Sequence, residues 1–261
     1  MGVWLGPRGL DASKRPPVFT YNGETCDGTA YMSVPGVFTY RVQAAADGKV
    51  NWELAIYYGV NTALRFSRVV NEIDAFYVGP GADGASGTSS GTTAYGGRGG
   101  NGGEVKTVSG ISISANVDYP ITIGSGSTAT SGFGNSAAPG GGKAGGTGAT
   151  AADNNPSDAP AVSDGELSFG GTGIRQHWTS VKFGAPGGGG GARSANGTIA
   201  NPAAGGSSNA GSGGAYGNAG AAASLAGSGA GGGGGSYDRA TGYNDKPGGA
   251  GASGILILRN H

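Results

Sequence analysis

The chain has 261 residues, room for one large or two small domains. Sixty glycines and twelve prolines would alone suggest low-complexity disorder, yet charged residues are only 12%, the net charge is zero and tyrosine recurs throughout. That balance leaves no electrostatic footprint for nucleic acid, and no apolar run approaches the roughly 18 residues of a membrane span.

Residues 1–36 show no sustained period. Trp4, Leu5 and Pro7 precede Lys14-Arg15-Pro16-Pro17, which reads as an irregular arm. Trp4 and Leu5 either pack on their own domain or form a docking anchor for a partner protein. Met1 to Arg8 lacks the charged and apolar regions of a signal peptide, and Gly6 stands where a myristoylation signal wants Ser or Thr. A cytoplasmic origin is expected. Cys26 is the single cysteine, which excludes an intramolecular disulfide framework.

Residues 37–78 carry ordinary antiparallel patterning. Phe38, Tyr40, Val42 and Ala44 alternate with Thr39, Arg41 and Gln43, and Asp47-Gly48 is a two-residue hairpin signal. The returning strand sets Trp52, Leu54, Ile56 and Tyr58 against Asn51, Glu53 and Tyr57. Leu64, Phe66 and Val70 then alternate with Arg65 and Ser67, and a turn at Asn71-Glu72 leads into Ile73 to Val78. The pattern predicts a four-strand meander with one buried face.

Only eight of the glycines precede residue 79. Beyond it, strand-like islands interrupt the glycine tracts at Glu104 to Val108, Ile111 to Ile113, Tyr119 to Ile123, Glu166 to Phe169, Trp178 to Phe183 and Ile255 to Leu258. Helix formers are scarce, so almost no helix is expected. Polyglycine loses much backbone entropy on folding and buries almost no side chain. The remaining way to order it is backbone packing. Extended segments with three residues per turn can lie side by side without Cβ atoms and bond their N–H and C=O groups between neighbours. The expected fold is all-β, with an N-terminal arm (1–36), a meander (37–78) and a glycine-rich domain (79–261) of short strands and polyglycine-II-like segments. Four large apolar residues at Ile255 to Leu258, bounded by Gly254 and Arg259, read as a strand buried on both faces. This strand (254–259) is expected to close the domain as a clasp against Ile73 to Val78.

Ile73-Asp74-Ala75-Phe76-Tyr77-Val78-Gly79 before the glycine tracts, Tyr119-Pro120-Ile121-Thr122-Ile123-Gly124 within them and Gly254-Ile255-Leu256-Ile257-Leu258-Arg259 at the close form an ordered set. The chain thereby resembles, over about residues 50–259, the glycine-rich domain at the ends of bacteriophage and prophage tail proteins. A looser similarity is to the adhesins that cap long tail fibres and bind receptors through loops. One departure is that the opening strand meets Gly79-Pro80-Gly81 instead of a long glycine run. The resemblance implies a virion component made in the host cytoplasm, at a tail fibre, tail tip or baseplate. It implies other tail proteins and a host-surface glycan or protein as partners. A threefold homo-oligomer would suit a fibre, although no heptad signals it.

No catalytic constellation is visible, so a non-catalytic protein without cofactor or metal is expected. The histidines are His177 and His261, too few for a metal cluster or triad. Gly227 to Gly232 matches a dinucleotide fingerprint only because glycine is dense, and Lys49 and Lys143 are not followed by Ser or Thr as a P-loop requires. Asp153, Asp158 and Asp164 share a polar loop whose spacing fits no calcium loop and reads as solvated turns. Asn196-Gly197-Thr198 is a glycosylation sequon without a secretion route.

The aromatics of the glycine region are Tyr95, Phe133, Trp178, Tyr216, Tyr237 and Tyr243. Each can fill a gap between glycine layers. Tyr95, Tyr237 and Tyr243 lie in polar, turn-rich surroundings and are expected as exposed receptor contacts, with Trp178 as a further candidate. The expected function is host recognition by binding at a phage tail. The alternative is a purely structural virion piece, such as a head fibre, decoration or tail cap. A bacterial surface or ice-binding protein is disfavoured by the missing export signal and the absence of regularly spaced Thr.

Overall fold

A computed structural model of the protein describes residues 16–44, 50–167, 181–242 and 244–260. Among these residues the fold is all-β, and no helix is long and apolar enough to cross a membrane.

The strands up to residue 78 are β1 (Phe19–Tyr21), β2 (Glu24–Cys26), β3 (Tyr31–Val34), β4 (Phe38–Ala44), β5 (Val50–Ile56), β6 (Thr62–Phe66) and β7 (Val70–Val78). Within the glycine-rich part lie β8 (Thr88–Ser90), β9 (Thr93–Tyr95), β10 (Val105–Ile113), β11 (Asp118–Ile121), β12 (Thr130–Gly132) and β13 (Asn135–Ala137). They are followed by β14 (Thr150–Ala152), β15 (Asn155–Ser157), β16 (Glu166–Leu167), β17 (Lys182–Phe183), β18 (Ala192–Arg193) and β19 (Ile199–Ala200). The chain closes with β20 (Tyr237–Asp238), β21 (Asn244–Asp245) and β22 (Ile255–Asn260).

Two antiparallel sheets form a sandwich, one ordered β10-β7-β22-β5-β4-β3 and the other β11-β6-β1-β2. Between them Phe19, Tyr21, Phe38, Tyr40, Leu54, Leu64, Phe66, Tyr77, Leu256 and Leu258 are buried in one core. Phe19 meets Phe38 and Tyr40 edge-on, with ring centroids 5.7 and 5.3 Å apart. On the other face of the larger sheet Ala55, Phe76, Val78, Ile255 and Ile257 pack with Phe183. Strand β22 therefore has apolar neighbours on both faces, as its unbroken run of large residues implies.

The clasp forms. Ile255 stands opposite Val78 and Asn260 opposite Ile73, with β22 antiparallel to β7. The expected four-strand meander does not. Of its strands only β4 and β5 pair in sequence order, antiparallel, and the expected Asp47-Gly48 turn lies outside the described residues; β22 inserts between β5 and β7, and β6 joins the second sheet between β11 and β1. Alternation reports one buried face and is silent on which sheet supplies it. Residues 19–34, expected to be irregular, form three strands too short to show a period. The sandwich thus draws on β10, β11 and β22, which lie beyond the expected boundary at residue 79. Pro120 sits on β11, an edge strand, where a missing N–H disrupts no central ladder.

The glycine tracts run back and forth from the sandwich as extended segments at 79–87, 96–104, 142–149, 184–191, 201–206, 210–215, 218–223, 229–236 and 246–254. Their hydrogen bonds recur every third residue. The N–H groups of Gly97, Gly100 and Gly103 donate to the carbonyls of Gly235, Gly232 and Gly229, each at 2.7 Å. Those of Gly81, Gly84 and Gly87 donate to Ala252, Gly249 and Lys246. Three residues per turn is the polyglycine II period.

Segment 229–236 lies at the centre. It bonds to 79–87, 96–104, 184–191, 210–215, 218–223 and 246–254, six neighbours around one strand. A Cβ added at Gly231, Gly232, Gly233, Gly234 or Gly235 would come within 3.0 Å of the backbone of Gly100, Gly249, Ser212, Gly97 or Lys246 respectively. None of the five has a positive φ. Glycine is needed there for space, and its conformational freedom is not the reason. The other long run behaves alike: Gly187, Gly188, Gly189 and Gly190 abut the backbones of Gly232, Ala203, Thr147 and Gly235. Polyglycine therefore marks the most crowded interior of the lattice, while the buried Ala185, Ala230 and Ser236 stand where those runs begin or end.

Candidate functional site

At the lattice end away from the sandwich, the tracts turn through hairpins. Two four-stranded sheets, β15-β14-β9-β8 and β19-β18-β20-β21, stack there as a cap. Their shared core is built from Ala94, Ala149, Ala151, Ala192, Ala200 and Tyr237. The small alanines leave room among them for the one large ring of Tyr237.

Tyr95 is on the outer face of β9 and is 37% exposed. Thr88 and Thr150 flank it in register, and Ser157 stands opposite Thr150, so four hydroxyl-bearing residues cross the sheet in one row. Adjacent strands are about 4.8 Å apart, which makes the row an uncharged ladder of donors and acceptors.

The second cap sheet offers different chemistry on its outer face. Arg193 stands opposite Asp238 in the parallel pair of β18 and β20, with Nη1 to Oδ2 at 3.9 Å. The Arg193 guanidinium lies 5.5 Å from the ring centroid of Tyr216, within cation–π range. The Ala240 N–H and the Thr241 hydroxyl donate to the buried Asp238 carboxylate at 3.0 and 2.9 Å. Ile199 and Tyr216 are each 39% exposed beside this cluster. In the adjoining turn, Asn196 Oδ1 accepts from the Ser194 and Thr198 hydroxyls at 2.6 and 2.7 Å. The sequon asparagine is thereby tied into its own turn.

Tyr237, expected to be exposed, is 6% exposed. Its polar neighbours in sequence point elsewhere, while strand alternation turns its ring inward among the alanines. Ser89 Oγ donates to its hydroxyl at 2.9 Å. Trp178, Tyr243, Trp4 and Leu5 lie outside the described residues. Arg193, Ile199 and Tyr216 were not among the expected contacts. The turn composition Ala215-Tyr216-Gly217-Asn218 was the signal available for Tyr216.

The three loop aspartates do not converge. Asp153 is exposed at a hairpin turn, and Asp164 pairs with Lys182 Nζ at 3.1 Å. Asp158 accepts from the Asn201 N–H at 2.7 Å, and this backbone bond, aided by the Asn201 amide, holds its carboxyl below the usual carboxylate range. Among the described residues no three His, Cys, Asp or Glu side chains gather as a metal site. No protein-family model, curated protein or solved structure matches the chain.

Proposed function

We propose that the protein is a bacteriophage tail component that recognises the host surface by binding, without catalysis. Recognition falls to the cap, through Tyr95 with its hydroxyl row and through Tyr216, Ile199 and Arg193. One observation carries this reading: the exposed Tyr95, Tyr216 and Ile199 gather on a cap at the pole of the lattice opposite the sandwich. The lattice between the two poles is bonded throughout along its length, which suits a rigid presenter of surface residues. Attachment through the sandwich to other tail proteins would leave the cap facing outward towards a host glycan or protein.

Gold-labelled antibody against the cap, imaged on intact virions, tests the reading. Label at the outer end of the tail supports it. Label on the head surface supports instead a structural decoration protein, and absence from virions removes both readings.

A further inference from the structure

A second candidate site lies on the flank of the sandwich, remote from the cap. A groove of about 540 Å³ opens between β10, β11 and the β12–β13 hairpin. That volume falls within the range of small-ligand sites. Its platform is an aromatic pair, Tyr119 and Phe133, with ring centroids 5.0 Å apart and planes inclined by 38°. Both rings are half-buried. The Ser114 N–H donates to the Tyr119 hydroxyl at 2.8 Å, which fixes that ring. Ser112, Ser131, Ser136 and Asn135 supply hydroxyl and amide groups around the platform, and no charged residue lines the groove.

Phe133 occupies a conformation that its side chain disfavours. With φ of 51°, followed by Gly134 at 73°, it takes the first central position of a two-residue hairpin turn in the left-handed region. Asparagine is the favoured residue at that position, and a bulky aromatic is an outlier. The inner part of the ring packs against the sandwich core, and its outer part, with Tyr119, is left open to a ligand.

We propose that this groove binds a neutral saccharide. A sugar ring presents a C–H face for the two aromatic rings and hydroxyls for the serines and Asn135. An aliphatic side chain would leave those polar groups without partners, and a charged ligand would find no countercharge. The site shares no residue with the cap, so it stands independently of the host-recognition reading.

The test titrates the full chain with soluble neutral trisaccharides of glucose, galactose or N-acetylglucosamine, read by saturation-transfer NMR. At least one trisaccharide binds the native protein. Phe133→Asn binds at least about tenfold more weakly while staying folded, because asparagine suits the turn and offsets the packing lost from the ring. Tyr119→Leu, which retains apolar volume, also weakens binding. Val60→Ala, at an exposed position outside both the groove and the cap, leaves it unchanged. The proposal is overturned if no trisaccharide binds, or if Phe133→Asn or Tyr119→Leu binds like the native protein.

Discussion

Gly233 lies so close to the carbonyl of Ser212 that a single methyl group cannot be placed between them. The same holds around segment 229–236, where successive glycines face different neighbours and the direction repeats after three residues. An uninterrupted glycine run is what a strand surrounded by six others requires.

Gly233→Ala is therefore expected to destabilise the protein by about 3 kcal/mol, since the opposing backbone is hydrogen-bonded and cannot yield. Ala222→Ser, at an exposed rim position, should change stability by less than about 0.5 kcal/mol. Urea denaturation of the two variants checks the contrast. Equal effects would mean that the interior and rim of the lattice do not differ.

Strand β22 continues directly from lattice segment 246–254 into the centre of the sandwich, between β5 and β7. Leu258→Ala removes a fully buried side chain from that junction and should cost about 3 kcal/mol. Sandwich and lattice should still unfold together, with tryptophan fluorescence and glycine amide exchange reporting one midpoint. Two separated midpoints would show that the clasp does not couple them.

Glu53 and Arg259 stand opposite each other on β5 and β22, and both are buried. Burial lifts the Glu53 carboxyl above its ordinary range, with Arg259 and Arg41 drawing it back. A carboxyl raised in the folded state holds its proton more tightly there than in the unfolded chain. Its contribution to stability is therefore complete below the ordinary Glu range and is lost as pH rises through the raised value. As pH rises above the ordinary Glu range, the native protein should lose stability relative to Glu53→Gln, measured as urea midpoints. Parallel curves would contradict this.

Much of the architecture was legible in the chain. Four consecutive large residues at Ile255 to Leu258 could only be buried on both sides, and their partner strand at Ile73 to Val78 followed from the need to close the glycine excursion. Alternation identified β4 and β5 and their antiparallel pairing. It failed at β6, because Leu64 and Phe66 define a buried face that either sheet of a sandwich can supply. Strands β1 to β3 were illegible because three or four residues show no period. Tyr237 was misplaced for a related reason: its side is set by a two-residue strand in the cap, and neighbouring polarity does not reveal that side. Arg193 and Tyr216 meet only through folding, being separated in sequence by two turns and two lattice segments.

The central claim is that recognition resides in the cap, and adsorption of the purified protein to cells of the host bacterium tests it most directly. The double variant Tyr95→Ala, Tyr216→Ala should melt like the native protein, because both side chains are exposed, and should lose cell binding at least about tenfold. Native-like binding by this variant, or no binding by the native protein, would contradict the account.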